Sequence, residues 1–138
     1  MKKLTKLFLS IFFVGYINFA PGTWGSLASI VIIFLLFNFL SPSLFILILT
    51  FIIVFFISNF LINYFSSFDN SHDSKHIVID EFLGIFFIFF FYDFVFIYNT
   101  FFTLLLIFLI FRFFDIIKIF PANYIDKNYK NGFGVILD

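Results

Sequence analysis

Four groups of residues in this chain have types and spacings suited to chemistry. The first is Asp73-Ser74-Lys75-His76-Ile77-Val78-Ile79-Asp80-Glu81, which runs straight into an apolar segment at Phe82. Adjacent carboxylates there are costly to hold near hydrocarbon unless a cation or basic partner offsets them. Acids at a helix N-terminus also complement the macrodipole, a structural use that would serve Asp80 alone. The pair, with Gly84 one turn on, favours a metal. In Phe111-Arg112-Phe113-Phe114-Asp115-Ile116-Ile117-Lys118 the spacing of three puts Arg112, Asp115 and Lys118 on one arc of roughly 120° of a helix. That stripe must face protein or water. It forms either a ladder of weak ion pairs or a ligand site, and so apolar a segment has no need of the ladder.

Pro21-Gly22-Thr23-Trp24-Gly25-Ser26 joins a turn to a helix start, whose free N–H groups and hydroxyls suit a phosphate as well as ordinary capping. In the tail Asn131-Gly132-Phe133-Gly134-Val135-Ile136-Leu137-Asp138 the glycines permit close backbone approach. His72 and His76 lack a metal-ligand spacing and read as solvated loop residues. Together the groups supply hard oxygen ligands (Asp80, Glu81, Asp115, Asp138), cations (Lys75, Arg112, Lys118) and an anion-binding helix start. Carboxylates without Cys or a clear His motif favour magnesium over zinc. Magnesium with Arg and Lys favours a phosphate-bearing substrate.

The elements that must position these residues are dictated by composition. The 138 residues are 63 % apolar and 12 % charged, with thirty Phe and no net charge, and the mean hydropathy is +1.16. Too little polar surface is present to cover a water-soluble particle of this size. Disorder and nucleic-acid binding are excluded on the same ground. The absence of Cys excludes disulfides, thiolate nucleophiles and Cys-ligated zinc. The Phe excess reads as matching to lipid, with no Phe cluster converging on a polar group.

The expected architecture is all-α, a polytopic membrane bundle of about four spans in a single domain. The spans are Leu27–Leu40, Leu44–Phe65, Phe82–Phe91 extending towards Tyr98, and Phe101 to about Phe114. The first and third are short and need flanking residues such as Trp24 or Tyr92. Leu7–Ile17 makes about 16 Å of helix, about half the roughly 30 Å hydrocarbon core, and reads as an interfacial or partly inserted helix. The Pro and two Gly of Asn18–Ser26 predict a re-entrant-like turn rather than continuous helix. Ser41-Pro42-Ser43 is a turn between antiparallel helices, and Asp93 marks a loop tip. If Lys2, Lys3 and Lys6 stay in the cytoplasm, four spans put residues 66–81 and the tail with Lys127 and Lys130 on that side. The Pro42 turn and the Asp93 loop then lie opposite. Every polar motif collects at one membrane face, which favours a lipid head group as substrate.

The ordered motifs Ala20-Pro21-Gly22-Thr23-Trp24-Gly25-Ser26-Leu27, Ile77-Val78-Ile79-Asp80-Glu81-Phe82-Leu83-Gly84, Phe111–Lys118 and Gly132–Asp138 resemble those of the phosphatidylglycerophosphatase A family across almost the whole chain. The resemblance implies a multi-pass enzyme of the bacterial inner membrane, its active site at the cytoplasmic face. It further implies magnesium-dependent conversion of phosphatidylglycerophosphate, an anionic phospholipid, to phosphatidylglycerol and phosphate. Position by position it carries the family's acidic motif onto Asp80 and Glu81, preceded by Asp73. Its arginine-aspartate-lysine motif falls on Arg112, Asp115 and Lys118, and its N-terminal signature on Pro21, Thr23, Gly25 and Ser26. Ile119 stands where the family has Pro, which predicts a helix running past Lys118. The family tail continues through a second aspartate and an apolar helix, so this chain is expected to be truncated or to lack a late span.

On this reading Asp80, Glu81 and Asp115, with Asp138, hold magnesium, and water attacks the phosphomonoester in line. Arg112 and Lys118 neutralise its oxygens. Thr23, Ser26 and nearby N–H groups, with Gly25 and Lys75, grip a phosphate. An aspartyl nucleophile is an open alternative. A small channel or transporter subunit with a cytoplasmic-face ion site, and a structural subunit of a larger complex, are the rival classes. A channel should carry polar residues through the membrane's depth, whereas these spans hold scattered Ser, Thr and Asn. The sequence leaves the oligomeric state open.

Overall fold

A computed structural model describes residues 2–64, 76–95, 99–118, 120–129 and 131–137. Secondary structure among these is entirely helical. Among the described residues three helices are long and apolar enough to cross a bilayer: α2 (Pro21–Leu40), α3 (Leu44–Tyr64, apolar to Asn63) and α6 (Thr100–Ile117). At 1.5 Å per residue each reaches about 27 to 32 Å, the thickness of the hydrocarbon core. The fourth apolar block is broken into α4 (Ile79–Ile88), a 3-10 turn over Phe89–Phe91 and the single turn α5 (Tyr92–Val95). Of the four expected spans, three are helices of spanning length, and no piece of the fourth block is long enough to cross. Asp93 is a correction of another kind, since it lies exposed within α5 rather than at a loop tip. Tyr98, Phe65 and the polar stretch to Lys75 lie outside the described residues.

The N-terminal half of the sequence reading needs two further corrections. The first helix is α1 (Lys2–Leu9), not Leu7–Ile17. Ile11, Phe12 and Phe13 all have positive φ, and the Ser10 hydroxyl donates to Lys6 O at 2.6 Å and accepts from Phe13 N. That local bonding ends the helix and turns the chain. Leu9 and Ile11 then enter the core, and Val78 N donates to Leu9 O at 3.0 Å. The expected turn at Pro21–Ser26 is instead the start of α2. Pro21 occupies the first helical turn, where its missing N–H costs nothing. Gly22 and Gly25 are kept in the helix by what packs on them, described below.

Each long helix ends by an identifiable device. In α2 the chain turns at Ser41, left-handed at φ 40°, whose N–H donates to Phe37 O before Pro42 forbids further helix. Asn99 caps α6 by accepting from Phe101 N at 3.0 Å. At the other end of α6, Lys118 is left-handed and its N–H donates to Phe114 O. The helix thus stops one residue before Lys118, and the expected run beyond it, inferred from Ile119 in place of Pro, does not occur. Two short helices follow, α7 (Ala122–Asn128) and α8 (Gly132–Leu137), and α8 docks on α3 and α4.

Two apolar clusters hold the bundle. Leu9, Ile62, Val78, Leu83 and Ile136 form one; Ile33, Phe37, Ile85, Phe89 and Ile107 form the other. Phe51 and Phe82 pack against both. Outer faces of α3 and α6 carry exposed Phe45, Phe56, Phe101 and Phe102, as a lipid-facing surface requires. Hydroxyls within the long helices return to their own backbones: Ser29 to Gly25 O, Ser58 to Val54 O and Thr103 to Asn99 O. None of these three is spent on lining a path, so the channel reading gains no support. Asp93 and Pro42 line one cavity at the end of the bundle away from Glu81.

Candidate active site

The N-termini of α2 and α4 meet the C-terminus of α6 at one end of the bundle, and glycines let them meet. A Cβ added at Gly84 would lie 2.6 Å from Phe111 Cε2. Glycine there draws α4 against α6 one turn from the acids. At Gly25 a Cβ would lie 2.7 Å from that of Val78, so α2 presses directly on the residue preceding α4. A Cβ at Gly22 would collide with Glu81 Oε1 and lie 3.1 Å from Arg112 Nη1. No other residue type leaves that space to the ion pair. Gly22 is the site residue the sequence reading missed. Its presence in the Pro-Gly-Thr motif was visible, but only the crossing of α2 over α4 shows what the missing side chain makes room for.

Glu81 and Arg112 are the centre of the arrangement. Arg112 Nη1 lies 3.8 Å from Glu81 Oε1 and is hydrogen-bonded to Asp115 Oδ2. The guanidinium therefore stands between two carboxylates from different helices. Its side chain is 16 % exposed against 8 % for Glu81. Glu81 Oε2 and Arg112 Nε are buried without hydrogen-bond partners among the described residues, and such orphaned charge is costly unless something else meets it. Glu81 lies outside the three spanning helices, and burial pushes its carboxyl up from the ordinary 4.5 to about 7. A hydrogen bond with Asp80 and the Arg112 charge lower it, while the Asp115 charge adds to the rise.

Asp80 and Asp115 share the lining of a cavity of about 580 Å³ between α3, α4, α6, the start of α7 at Ala122 and α8. Phe51, Phe55, Phe87, Phe111 and Phe114 form much of its wall. The expectation that no Phe cluster converges on a polar group is thereby overturned: a period-based reading does not show which faces of three helices close on one another.

The other expected site residues fall as follows. Thr23 is half-buried in the first turn of α2. Ser26 is fully buried and its hydroxyl donates to Gly22 O at 2.8 Å, while Gly25 has the packing role given above. Lys118 follows the last turn of α6 in the left-handed conformation, as its C-cap. Lys75, Asp73, His72 and Asp138 lie outside the described residues. His76 is not a solvated loop residue: its Nδ1 lies 3.0 Å from Gly15 O and its ring stacks on Tyr16 at 4.5 Å. It fastens the α1 turn to the start of α4. The tail glycines also pack rather than open a backbone to a ligand. Gly132 N donates to Asn63 Oδ1 at 2.7 Å, and a Cβ at Gly134 would strike Tyr129 O.

The donor set bears on magnesium. No group of three or more His, Cys, Asp or Glu among the described residues closes on a common point. Magnesium, however, keeps several waters and needs only one or two carboxylates beside substrate phosphate. A buried, unpartnered carboxylate oxygen on Glu81 beside Asp80 and Asp115 meets that requirement.

Fold and site define a class: a small helical membrane protein with an acidic and basic cluster at one end of its bundle. The profile of phosphatidylglycerophosphatase A matches residues 7–138. The chain belongs to that family, which is a family of phosphatases. No curated protein matches the chain, and no solved structure does.

Proposed function

We propose that this protein is a magnesium-dependent lipid phosphatase of the bacterial inner membrane. It hydrolyses phosphatidylglycerophosphate to phosphatidylglycerol and phosphate, in phospholipid biosynthesis, at the cytoplasmic face. The observation that carries the reading is the placement of Arg112 between Glu81 and Asp115 beside Gly22, in a chain whose family is named for this reaction.

Asp80, Glu81 and Asp115 would hold magnesium between them, one or two directly and the rest through water, and the metal would withdraw charge from the phosphomonoester. Arg112 offers guanidinium donors to phosphate oxygens on which charge spreads in the transition state. Asp115 holds the guanidinium in place. At the start of α2 Pro21 has no N–H and those of Thr23 and Trp24 donate to Ala20 O, so they are not counted in the phosphate grip. Water forms the new P–O bond, the ester P–O bond breaks, and the glycerol oxygen leaves with a proton.

The test is phosphate release from purified protein supplied with phosphatidylglycerophosphate, with magnesium or with chelator. Release that depends on magnesium is expected. Undiminished release in chelator would remove the metal from the mechanism, and no release in magnesium would overturn the proposal.

A further inference from the structure

The cavity beside Asp80 and Asp115 is graded from buried to open. Its inner wall includes Leu83, 2 % exposed, and Ile136, 8 %. Its rim carries Phe87, Phe114 and Phe120, each more than half exposed on the flank of the bundle. Asp80 and Phe87 are seven residues apart on α4, so the cavity runs roughly 10 Å along the helix axis from its acidic end. A cavity of about 580 Å³ is of the size that encloses much of a small amphiphile. In a water-soluble protein such a rim would be a liability, whereas hydrocarbon of a bilayer would cover it at no cost.

We infer that this cavity seats an acyl chain of the lipid substrate, admitted sideways from the bilayer past Phe87 and Phe120, with the phosphate at the Asp80 and Asp115 end. The inference rests on the lipid-phosphatase reading. An amphiphile is favoured because the carboxylates lie at one end of the cavity while the rest of its wall is hydrocarbon. A free phosphate or a soluble phosphoester would leave the phenylalanine wall without an occupant. The seat also gives α8 a purpose, since Ile136 and Leu137 close the cavity from the tail side.

The experiment compares kcat/KM for dioleoyl phosphatidylglycerophosphate and for its deacylated head group, in detergent with magnesium. It uses the wild type, Ala122→Trp, which fills the cavity, and Phe87→Ala, which removes part of its rim. Each buried methylene changes affinity about fourfold, so the ratio of dioleoyl to deacylated substrate should fall about tenfold or more in Ala122→Trp and less in Phe87→Ala. A photoreactive group on the acyl chain gives a readout without turnover, and its label should map to α4 and α6 around Phe87 and Phe111. Wild-type ratios in both variants, or label confined to the outer face of α3, would overturn the seat. Should Ala122→Trp fail to fold, Phe87→Ala and the label decide the question. Absence of phosphate release from either substrate would sink the phosphatase reading, while the label would still report whether the cavity takes an acyl chain.

Discussion

Arg112 Nη1 stands 3.8 Å from Glu81 Oε1, across the interface of α6 and α4, while the same nitrogen bonds Asp115. One guanidinium thus offsets two carboxylates that would otherwise repel each other in a site with little water. Removing it should cost both stability and turnover. Arg112→Ala is expected to destabilise the folded protein by about 3 kcal/mol and to lower kcat about a hundredfold or more. Glu81→Gln in the Arg112→Ala background should recover part of the stability and none of the activity. Thermal unfolding in detergent alongside phosphate release checks both halves. Equal melting temperatures for wild type and Arg112→Ala would show that the pair is not structural.

Gly22 and Gly25 are predicted to fail in different ways. A methyl at Gly22 meets Glu81 Oε1 and the Arg112 guanidinium, whereas a methyl at Gly25 meets Val78. Gly22→Ala should therefore displace the ion pair and reduce kcat at least about tenfold, since an ångström of misplacement is expensive in catalysis. Gly25→Ala should destabilise by about 1 to 3 kcal/mol through overpacking. Melting temperature and kcat measured on both variants separate the effects. A Gly22→Ala protein with full kcat would show that this approach of α2 to Glu81 is dispensable.

These two glycines also mark how far the sequence could be read. Apolar blocks and helix-stop chemistry located α3 almost to the residue, because length and hydropathy alone determine a lipid-matched helix. Asp80, Glu81, Arg112 and Asp115 could be singled out because charge is costly in so apolar a chain. Pro21, Gly22 and Gly25 were misread as breakers, since local propensity cannot see the neighbour that makes a glycine useful within a helix. His76 was misread for a related reason: its partners, Gly15 and Tyr16, lie some sixty residues away in sequence. The phenylalanine cavity is hidden from the sequence because its lining comes from five helices at once.

The raised Glu81 carboxyl couples metal binding to pH. Its folded-state pKa of about 7 lies above the ordinary 4.5, so the metal-free folded protein holds the proton more tightly than the unfolded chain. The resulting stability is fully present below about 4.5 and is lost as pH rises through about 7. Magnesium takes the carboxylate form, so its binding must expel that proton within this window. Titration of magnesium into weakly buffered protein near pH 6 should release about one proton. Apparent affinity should weaken about tenfold per pH unit below 7. Glu81→Gln should abolish the proton release. An affinity independent of pH across the window would contradict the assignment of Glu81 as a ligand.

Asp80 and Asp115 line one cavity from different helices, so they should behave as partners in holding magnesium while differing in what else they do. Asp80→Asn removes a carboxylate at the start of α4 and should raise the magnesium concentration for half-maximal activity by about tenfold or more. Asp115→Asn removes a carboxylate and also loosens Arg112, which it orients. Its kcat should therefore fall about a hundredfold even at saturating magnesium. The comparison to make is kcat against magnesium concentration for the two variants. Full turnover in either at ordinary magnesium would remove that residue from the site. If excess magnesium restored Asp115→Asn as completely as Asp80→Asn, Asp115 would be a ligand alone, and Arg112 would not depend on it for position.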